Sequence, residues 1–274
     1  KVITFAIAGL YIPTKQLKPF NPLIGETFEG TFENGMKVYA EHISHYPTIS
    51  QFYMVDDNIK FYGYIDFAAT SESLGSKMNV TQKGPLTVEF PNGKIVYNMP
   101  IIKLLNCKNE ENRSAIWYDY MIFTDVENNL KGVVHIGGNH KKIHNFTGYI
   151  CKYTYPKNYK FNIDNEIKEA KKSHKHHIIS HIQGSWLENI TFDDIEYWNI
   201  NKYEPSWVRP VNHALPSDSR YREDLMWLFR SFYDSESEEE RKLYEDYAQE
   251  WKVAIEQVQR AEREIKKKAR LNKK

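Results

Sequence analysis

Three charged residues near the C-terminus, Lys252, Glu256 and Arg260, have the types and spacing that could hold an anionic ligand. Residues four apart on an α-helix lie one turn above each other, so these three would form one continuous row. The central carboxylate is placed to orient both cations or to accept a hydrogen bond from a ligand hydroxyl. The simpler interpretation is a salt-bridge ladder, which stabilises a helix by about a few tenths of a kcal/mol per pair.

Other polar clusters give weak indications of catalysis. Ser44 and His45 are adjacent, and adjacent residues on a strand face opposite sides, which is poor geometry for a nucleophile and its base. The sequence lacks a Gly-x-Ser-x-Gly elbow, a phosphate loop and a dinucleotide fingerprint. One histidine-rich stretch has no carboxylate or cysteine at metal-ligand spacing, which favours a polar strand face over a metal site: His174, His176, His177 and His181. We expect no enzyme activity, no metal and no cofactor.

The middle of the chain, from Thr27 to about Tyr155, is typical of β-strands. Asn34-Gly35 and Asn92-Gly93 predict two-residue hairpin turns between β-forming residues. The run Lys60–Phe67 alternates with a period of two, which predicts one buried face. Many short antiparallel strands favour a sandwich or barrel, and the pattern alone fits a ligand tunnel as well as a solid core. Further strands are predicted at Gln51–Val55, Leu86–Phe90, Ile95–Met99, Ala115–Phe123, Gly132–Ile136 and Phe146–Tyr155.

The C-terminal part is helical in pattern. A short helix is predicted over Arg220–Tyr233, and Ser235-Glu236-Ser237-Glu238 predicts a capping box before a second helix. The basic end of that helix, from Lys266 to Lys274, suits either a solvated terminus that matches the helix dipole or weak attraction to anionic lipid headgroups. Helical spacing predicts one stripe packed on the body of the protein: Tyr244, Tyr247, Ala248, Trp251, Ile255 and Val258.

Composition excludes several classes of protein. The 274 residues carry 37 Lys and Arg against 36 Asp and Glu, and this net charge of +1 argues against a nucleic-acid binder. Two cysteines, Cys107 and Cys151, form no disulfide framework and suit a reducing compartment. The longest apolar run, about Ile3 to Ile12, is too short to span a bilayer, so any membrane contact is expected to be peripheral.

Separate motifs lie along the chain in a fixed order. Lys18–Glu29 has the form Lys-Pro-x-Asn-Pro-x-x-Gly-Glu-x-x-Glu, and Glu41-His42-Ile43-Ser44-His45-Tyr46-Pro47-Thr48 follows it. Gly184-Ser185-Trp186 and Pro216-Ser217-Asp218-Ser219-Arg220-Tyr221-Arg222 come later, before the Lys-x-x-x-Glu-x-x-x-Arg spacing of the last helix. Together they resemble the lipid-binding domain of the oxysterol-binding-protein-related family. Its corresponding segments include Glu-Gln-Val-Ser-His-His-Pro-Pro and Pro-Thr-Asp-Ser-Arg-Phe-Arg.

This resemblance implies a fold that composition only suggests. Family members form a large, incomplete antiparallel β-barrel around a hydrophobic tunnel, with helices packed outside and an N-terminal lid over the mouth. Residues 1–274 would be a single domain of this kind. We expect an N-terminal segment at 1–26 with an absent or shortened lid, the barrel at 27–200, and a C-terminal helical region at 201–274.

The resemblance also implies a phosphoinositide headgroup site, which needs several donors and positive charges that converge on phosphate oxygens. It would consist of Lys18, Asn21, His45, Tyr46, Lys252, Glu256 and Arg260. Tyr46 stands where the family has its second histidine, so a neutral hydroxyl replaces a donor that can carry charge. Losing a charged hydrogen bond costs roughly 1.5–3 kcal/mol, which puts phosphoinositide recognition in doubt. Strand alternation predicts that His42 faces away from His45 and does not replace the missing histidine.

The function implied is lipid binding with non-vesicular transfer between membranes. The cargo would be a sterol or a glycerophospholipid such as phosphatidylserine, exchanged for phosphatidylinositol 4-phosphate. The alternative is a lipid-gated membrane sensor or adaptor that binds a lipid but transfers little. The expected partners are the lipid and membrane surfaces, and the expected form is a cytosolic monomer peripherally associated with intracellular membranes.

Overall fold

A computed structural model of the chain describes residues 1–14, 20–108, 112–137, 142–172, 177–203 and 206–271. The helices in this part are α1 (Val2–Ala8), α2 (Ile163–Ala170), α3 (Glu223–Tyr233) and α4 (Glu238–Leu271). The strands are β1 (Thr27–Phe32), β2 (Lys37–His45), β3 (Thr48–Val55), β4 (Lys60–Glu72), β5 (Lys77–Lys83), β6 (Leu86–Phe90), β7 (Gly93–Tyr97), β8 (Ile101–Leu105), β9 (Ser114–Asp125), β10 (Leu130–Ile136), β11 (Asn145–Lys152), β12 (His177–Ser185), β13 (Asn189–Phe192), β14 (Ile195–Asn199) and β15 (Val208–Pro210).

These strands form one antiparallel sheet with the order β14-β13-β12-β11-β10-β9-β7-β6-β4-β3-β2-β1-β15, while β5 and β8 pair with each other beside that path. Within the described residues, the sheet ends at β14 on one side and β15 on the other. The strands predicted between Thr27 and Tyr155 are present. β15 lies inside the region expected to be helical, where it pairs with β1.

The two predicted hairpins form, but neither has its Asn-Gly pair as the two turn residues. In the first, the Phe32 N–H donates to the Met36 carbonyl at 2.8 Å, which leaves three residues in the turn, and Gly35 takes a φ of +88°. In the second, Phe90 pairs with Gly93, so Pro91-Asn92 makes the turn. A three-residue turn that ends in a left-handed residue also matches strand twist, and it suits Gly35 as well as a two-residue turn would.

The main hydrophobic core joins α1 to strands from both halves of the sheet. Ile7 and Leu10 are fully buried in the same cluster as Trp117 of β9 and Ile190 of β13. The Trp117 Nε1–H donates to the Leu10 carbonyl at 2.9 Å, which satisfies the indole donor inside the core. Sequence analysis assigned no structure to α1, because a short and almost uniformly apolar run has no helical period to show.

The C-terminal helices differ from prediction at their starts. α3 begins at Glu223, after a short 3₁₀ turn at Ser219–Tyr221. The capping box lies two residues later than predicted: Ser237 Oγ accepts from the Glu240 N–H at 3.1 Å, and Glu240 accepts from the Glu236 N–H at 2.9 Å. Both positions fit the Ser-x-x-Glu pattern, because Ser and Glu alternate here.

The predicted stripe on α4 is packed along only half its length. Tyr244 and Tyr247 contact the Trp227 ring of α3, and Ala248 is fully buried. Beyond them Trp251 is 44% exposed and Val258 is 61% exposed. The cause is length: α3 has 11 residues and α4 has 34, so α3 spans about a third of its partner at 1.5 Å per residue. No described helix is both long enough and apolar enough to cross a membrane.

Candidate functional site

The segment 20–26 leads into β1 and occupies the centre of the candidate site. Gly25 has a φ of +80°, a left-handed conformation that favours glycine, and its N–H donates to the His42 carbonyl at 2.7 Å. The Leu23 N–H donates to Glu26 Oε2 at 2.9 Å, which closes a tight turn. The His42 N–H donates to the Glu26 carbonyl at 2.9 Å, so hydrogen bonds in both directions hold this segment against β2.

A buried ion-pair network fixes the same segment to the start of α3. Arg222 donates to Glu26 Oε2 at 2.7 Å and to the Asn21 carbonyl at 3.0 Å. It also makes a bidentate pair with Asp224, with distances of 3.0 and 2.6 Å. Asp224 is fully buried and Arg222 is 7% exposed. Two sequence motifs that are about 200 residues apart therefore meet through one guanidinium, whose planar fork suits two carboxylates at once.

The predicted row on α4 forms one connected set of charges. Lys252 Nζ lies 3.6 Å from Glu256 Oε1, and Arg260 Nη2 lies 3.3 Å from Glu256 Oε2. The Lys252 and Glu256 side chains are 25% and 32% exposed, whereas that of Arg260 is 77% exposed. Lys252 Nζ also lies 5.2 Å above the Phe20 ring, a cation–π contact that ties the row to the segment 20–26. A second tie is the bond from Gln259 Nε2 to the Ile24 carbonyl at 3.2 Å.

A cavity of about 430 Å³ lies beside these ties. It is lined by residues 23–26, by residues 216–218 and 221–223, and by Trp251, Ile255 and Gln259 of α4. The motifs before β1, before α3 and in α4 therefore share one surface. Sequence reasoning missed Phe20, Gln259 and the joining role of Arg222. Arg222 was visible as a motif residue, but its partners depend on long-range contacts that the sequence does not show.

The other described candidate residues lie in the segment before β1 and at the tip of the β2–β3 hairpin. Asn21 is exposed, and Lys18 lies outside the described residues. His45 is half-buried at the end of β2, where its carbonyl accepts from Thr48 Oγ1 at 2.9 Å. Tyr46 follows at 83% exposure, and its peptide bond to Pro47 is cis. Tyr46 therefore presents its hydroxyl at the surface of the turn.

The prediction that His42 faces away from His45 is wrong. The pairing of β2 with β3 shifts between His42 and Ser44, so Ile43 forms a β-bulge that interrupts the strand alternation. His42 Nε2 lies 2.9 Å from His45 Nδ1, and His42 Nδ1 lies 2.9 Å from Ser50 Oγ. His42 is only 3% exposed. Burial lowers the pKa of His42, and the neighbouring His45 lowers this pKa further.

The candidate residues therefore form two groups. The α4 row is one, and the imidazoles of β2 are the other. Within the described part of the chain, no hydrogen bond or ion pair joins His45 or Tyr46 directly to the α4 row. The segment 20–26 contacts both groups, through Phe20 and Ile24 on one side and Gly25 and Glu26 on the other.

The histidine-rich stretch is only partly described. His174 and His176 lie outside the described residues. His177 begins β12, and the His181 N–H donates to Asp193 Oδ1 at 2.8 Å. Among the described residues, no group of three or more His, Cys, Asp or Glu side chains is placed to hold a metal ion.

The family model described as oxysterol-binding protein matches residues 1–206 of the chain. The chain belongs to the oxysterol-binding protein family. Oxysterol-binding protein 9 of Dictyostelium discoideum is 29% identical to this family member over 247 residues, which are 83% of this chain and 54% of that protein. Oxysterol-binding protein-related protein 2B of Arabidopsis thaliana is 36% identical over 115 residues, covering 38% of this chain and 16% of that protein. The chain thus spans about half the length of the first relative and a smaller share of the second.

Solved structures of oxysterol-binding family domains have the same fold. The Osh3 ORD from Saccharomyces cerevisiae in complex with PI(4)P superposes with a TM-score of 0.68 at 20% identity, over 97% of this chain and 70% of that one. The Osh1 ORD in complex with cholesterol superposes with a TM-score of 0.68 at 17% identity, over 98% of this chain and 66% of that one. The predicted incomplete antiparallel barrel with C-terminal helices is confirmed. Family membership also agrees with the prediction that the chain is a binding protein and not an enzyme.

Proposed function

We propose that this chain encloses one lipid inside its barrel and transfers it between membranes in exchange for phosphatidylinositol 4-phosphate. Moving a sterol or acyl chain through water exposes several hundred Å² of apolar surface, which costs on the order of 10 kcal/mol. A curved sheet with apolar side chains on its inner face can shield such a cargo. In support, related domains have been crystallised with PI(4)P, cholesterol and ergosterol.

The observation that carries the proposal is the placement of cations around segment 20–26. Lys252 is held above the ring of Phe20, the residue that precedes Asn21, while Gly25 and Glu26 hold the strand that carries His45. A phosphomonoester needs several donors of this kind, and the proposed headgroup site comprises Lys18, Asn21, His45, Tyr46, Lys252, Glu256 and Arg260. The proposal treats residues 1–274 as one lipid-binding domain. It acts as a monomer without a cofactor, at the cytosolic surfaces of intracellular membranes.

A transfer assay between two vesicle populations tests this function. Donor vesicles carry a fluorescent sterol, and acceptor vesicles either contain or lack phosphatidylinositol 4-phosphate. We expect many sterol molecules moved per protein, with faster transfer when the phosphoinositide is present. Transfer that ends near one sterol per protein would contradict the carrier function.

One observation favours a second candidate, a lipid-gated sensor or adaptor. Tyr46 presents a neutral hydroxyl at 83% exposure where the family carries a histidine. Weaker headgroup binding would remove the exchange partner that drives cargo release. In the same assay, a sensor would bind its lipid at about one per protein and stop there.

A further inference from the structure

His42, His45 and Ser50 form a connected chain of polar groups behind the proposed headgroup site. His42 is the central member, because both its ring nitrogens are engaged, at 2.9 Å from Ser50 Oγ and 2.9 Å from His45 Nδ1. It is 3% exposed and so lies behind His45, not at the surface. Within the described residues, Nε2 of His45 makes no hydrogen bond, which leaves that nitrogen available to a ligand.

The hydrogen positions in this chain can be arranged in two ways. With both rings neutral, Ser50 donates to His42 Nδ1 and His42 Nε2–H donates to His45 Nδ1, so the His45 proton lies on Nε2. When His45 takes up a second proton, Nδ1–H donates to His42 Nε2, and the His42 proton moves to the bond with Ser50. Both nitrogens of His42, and Nδ1 of His45, keep a partner in both arrangements. His45 can therefore gain a charge without leaving a buried hydrogen-bond donor unpaired.

Among the described residues, few charged groups lie on the elements that pack around the pair. The Glu26 carboxylate, before β1, is engaged by Arg222. On β2, Glu41 precedes His42 and accepts from Gln51 of β3 at 3.5 Å. Asp66 of β4 lies opposite Ile49 of β3, and the Tyr46 hydroxyl is exposed on the turn. Burial lowers the pKa of His42, and the neighbouring His45 lowers it further, so the buried ring favours its neutral form. An anion at His45 Nε2 would supply the missing counter-charge.

We propose that His42 is a positioning residue that lets His45 take up a proton when a phosphomonoester binds, and that Ser50 completes the relay. The inference rests on the proposed headgroup site and adds a proton to its chemistry. At about pH 7.5 a free histidine is mostly neutral, with a pKa near 6.5, and a phosphomonoester is mostly doubly charged, with a pKa near 6. Binding then takes up about one proton, and affinity falls as the pH rises.

Isothermal titration with a water-soluble short-chain phosphatidylinositol 4-phosphate measures this proton directly. Titrations at about pH 7.5 in two buffers of different ionisation enthalpy give the number of protons taken up. For the unmodified protein we expect about one proton taken up per lipid bound. His42→Leu removes the acceptor for His45 Nδ1–H, so uptake should fall well below one and affinity should fall about tenfold or more.

Two further variants separate the relay from simple packing. His42→Gln supplies an amide oxygen that accepts from His45 Nδ1–H, so it should restore most of the proton uptake. Ser50→Ala perturbs the buried site less and should lower uptake in the same direction, which keeps the test valid if His42→Leu folds poorly. Thermal unfolding and sterol binding serve as controls for the fold.

The outcomes distinguish this inference from the function on which it rests. Weaker binding by His42→Leu with unchanged proton uptake would mean that His42 only packs, and the relay would be wrong while the headgroup site stands. Sterol binding without any phosphoinositide binding by the unmodified protein would overturn both. Lost uptake in His42→Leu that returns in His42→Gln would support the relay.

Discussion

In the proposed headgroup site, the side chain of Tyr46 determines how much the turn of the β2–β3 hairpin would contribute to anion binding. Its hydroxyl is a neutral donor on a side chain that is 83% exposed. Histidine at this position would offer a donor that can be charged near neutral pH. The hydrogen bond that the Thr48 hydroxyl donates to the His45 carbonyl closes the turn without using the Tyr46 side chain.

Tyr46→His should therefore raise the affinity for phosphatidylinositol 4-phosphate about tenfold, the amount expected from adding one charge-assisted hydrogen bond. Titration with the short-chain lipid measures the change, and Tyr46→Phe is the matched control, which should bind no more tightly than the unmodified protein. Equal affinity in Tyr46→His and Tyr46→Phe would show that this side chain lies outside the headgroup site.

The α4 row provides the second prediction at the residue scale. Lys252→Ala and Arg260→Ala should each weaken phosphoinositide binding about tenfold or more, because each removes a cation that the proposed headgroup site uses to bind phosphate. Vesicle co-sedimentation with and without the phosphoinositide gives the measurement. Lys242→Ala, on the exposed face of the same helix, is the control and should leave binding unchanged. If neither variant weakens binding, the salt-bridge ladder interpretation of Lys252–Glu256–Arg260 is correct.

At the scale of elements, α2 is held to the sheet by a buried charge cluster. Lys131 of β10 is 3% exposed, and its Nζ lies 2.7 Å from Glu166 and 2.5 Å from Glu169, both on α2. The Tyr159 hydroxyl donates to Glu166 at 2.7 Å, and the Tyr153 hydroxyl donates to Glu169 at 2.7 Å. Burial raises the pKa of both phenols, and their bonds to the carboxylates raise it further, so they stay neutral donors.

Lys131→Met should destabilise the protein by about 3–5 kcal/mol, because the change leaves two carboxylates close together with no cation between them. Urea unfolding followed by tryptophan fluorescence measures the loss. The double variant Lys131→Met, Glu166→Gln should recover part of the stability, since it removes one of the uncompensated charges. A loss below about 1 kcal/mol for the single variant would mean that the cluster is well solvated.

Element boundaries show which features can be predicted from the sequence. Period-two alternation identified β4 as a strand, but the predicted buried face is not observed, because burial does not alternate along it and Phe67 is 38% exposed. The bulge at Ile43 left no mark in the sequence, because it depends on the register with β3. The sequence could not show whether Ser235 or Ser237 caps the start of α4, because both satisfy the same local pattern. The meeting of Arg222 with Glu26 was likewise hidden, since it joins residues from opposite ends of the chain.

At the scale of the whole molecule, α1 and the sheet share one core. Ile7 is fully buried in a cluster that includes strands from β6 to β13. The motifs predicted the family and its fold from end to end. They did not predict that the first helix would lie in the main core, since none of the motifs covers it.

Ile7→Ala should cost about 2–5 kcal/mol of unfolding free energy, the range for emptying a buried aliphatic site. Ile265→Ala makes the same chemical change on α4 at a side chain that is 67% exposed, and it should stay within about 0.5 kcal/mol of the unmodified protein. Chemical denaturation of both variants gives the comparison. Similar stability for the two would show that α1 adds little to the core.

The position of α1 also has a consequence for biosynthesis. Ile3 and Ile7 are synthesised before the sheet against which they pack, and their core partners extend to Ile190 of β13. At about 5–20 residues per second, translation of the intervening chain takes roughly 10–40 s. During that time the apolar face of α1 has no completed core to enter. The apolar face of α1 therefore stays without its full set of core partners until β13 has been made, and this part of the core depends on contacts of high sequence separation.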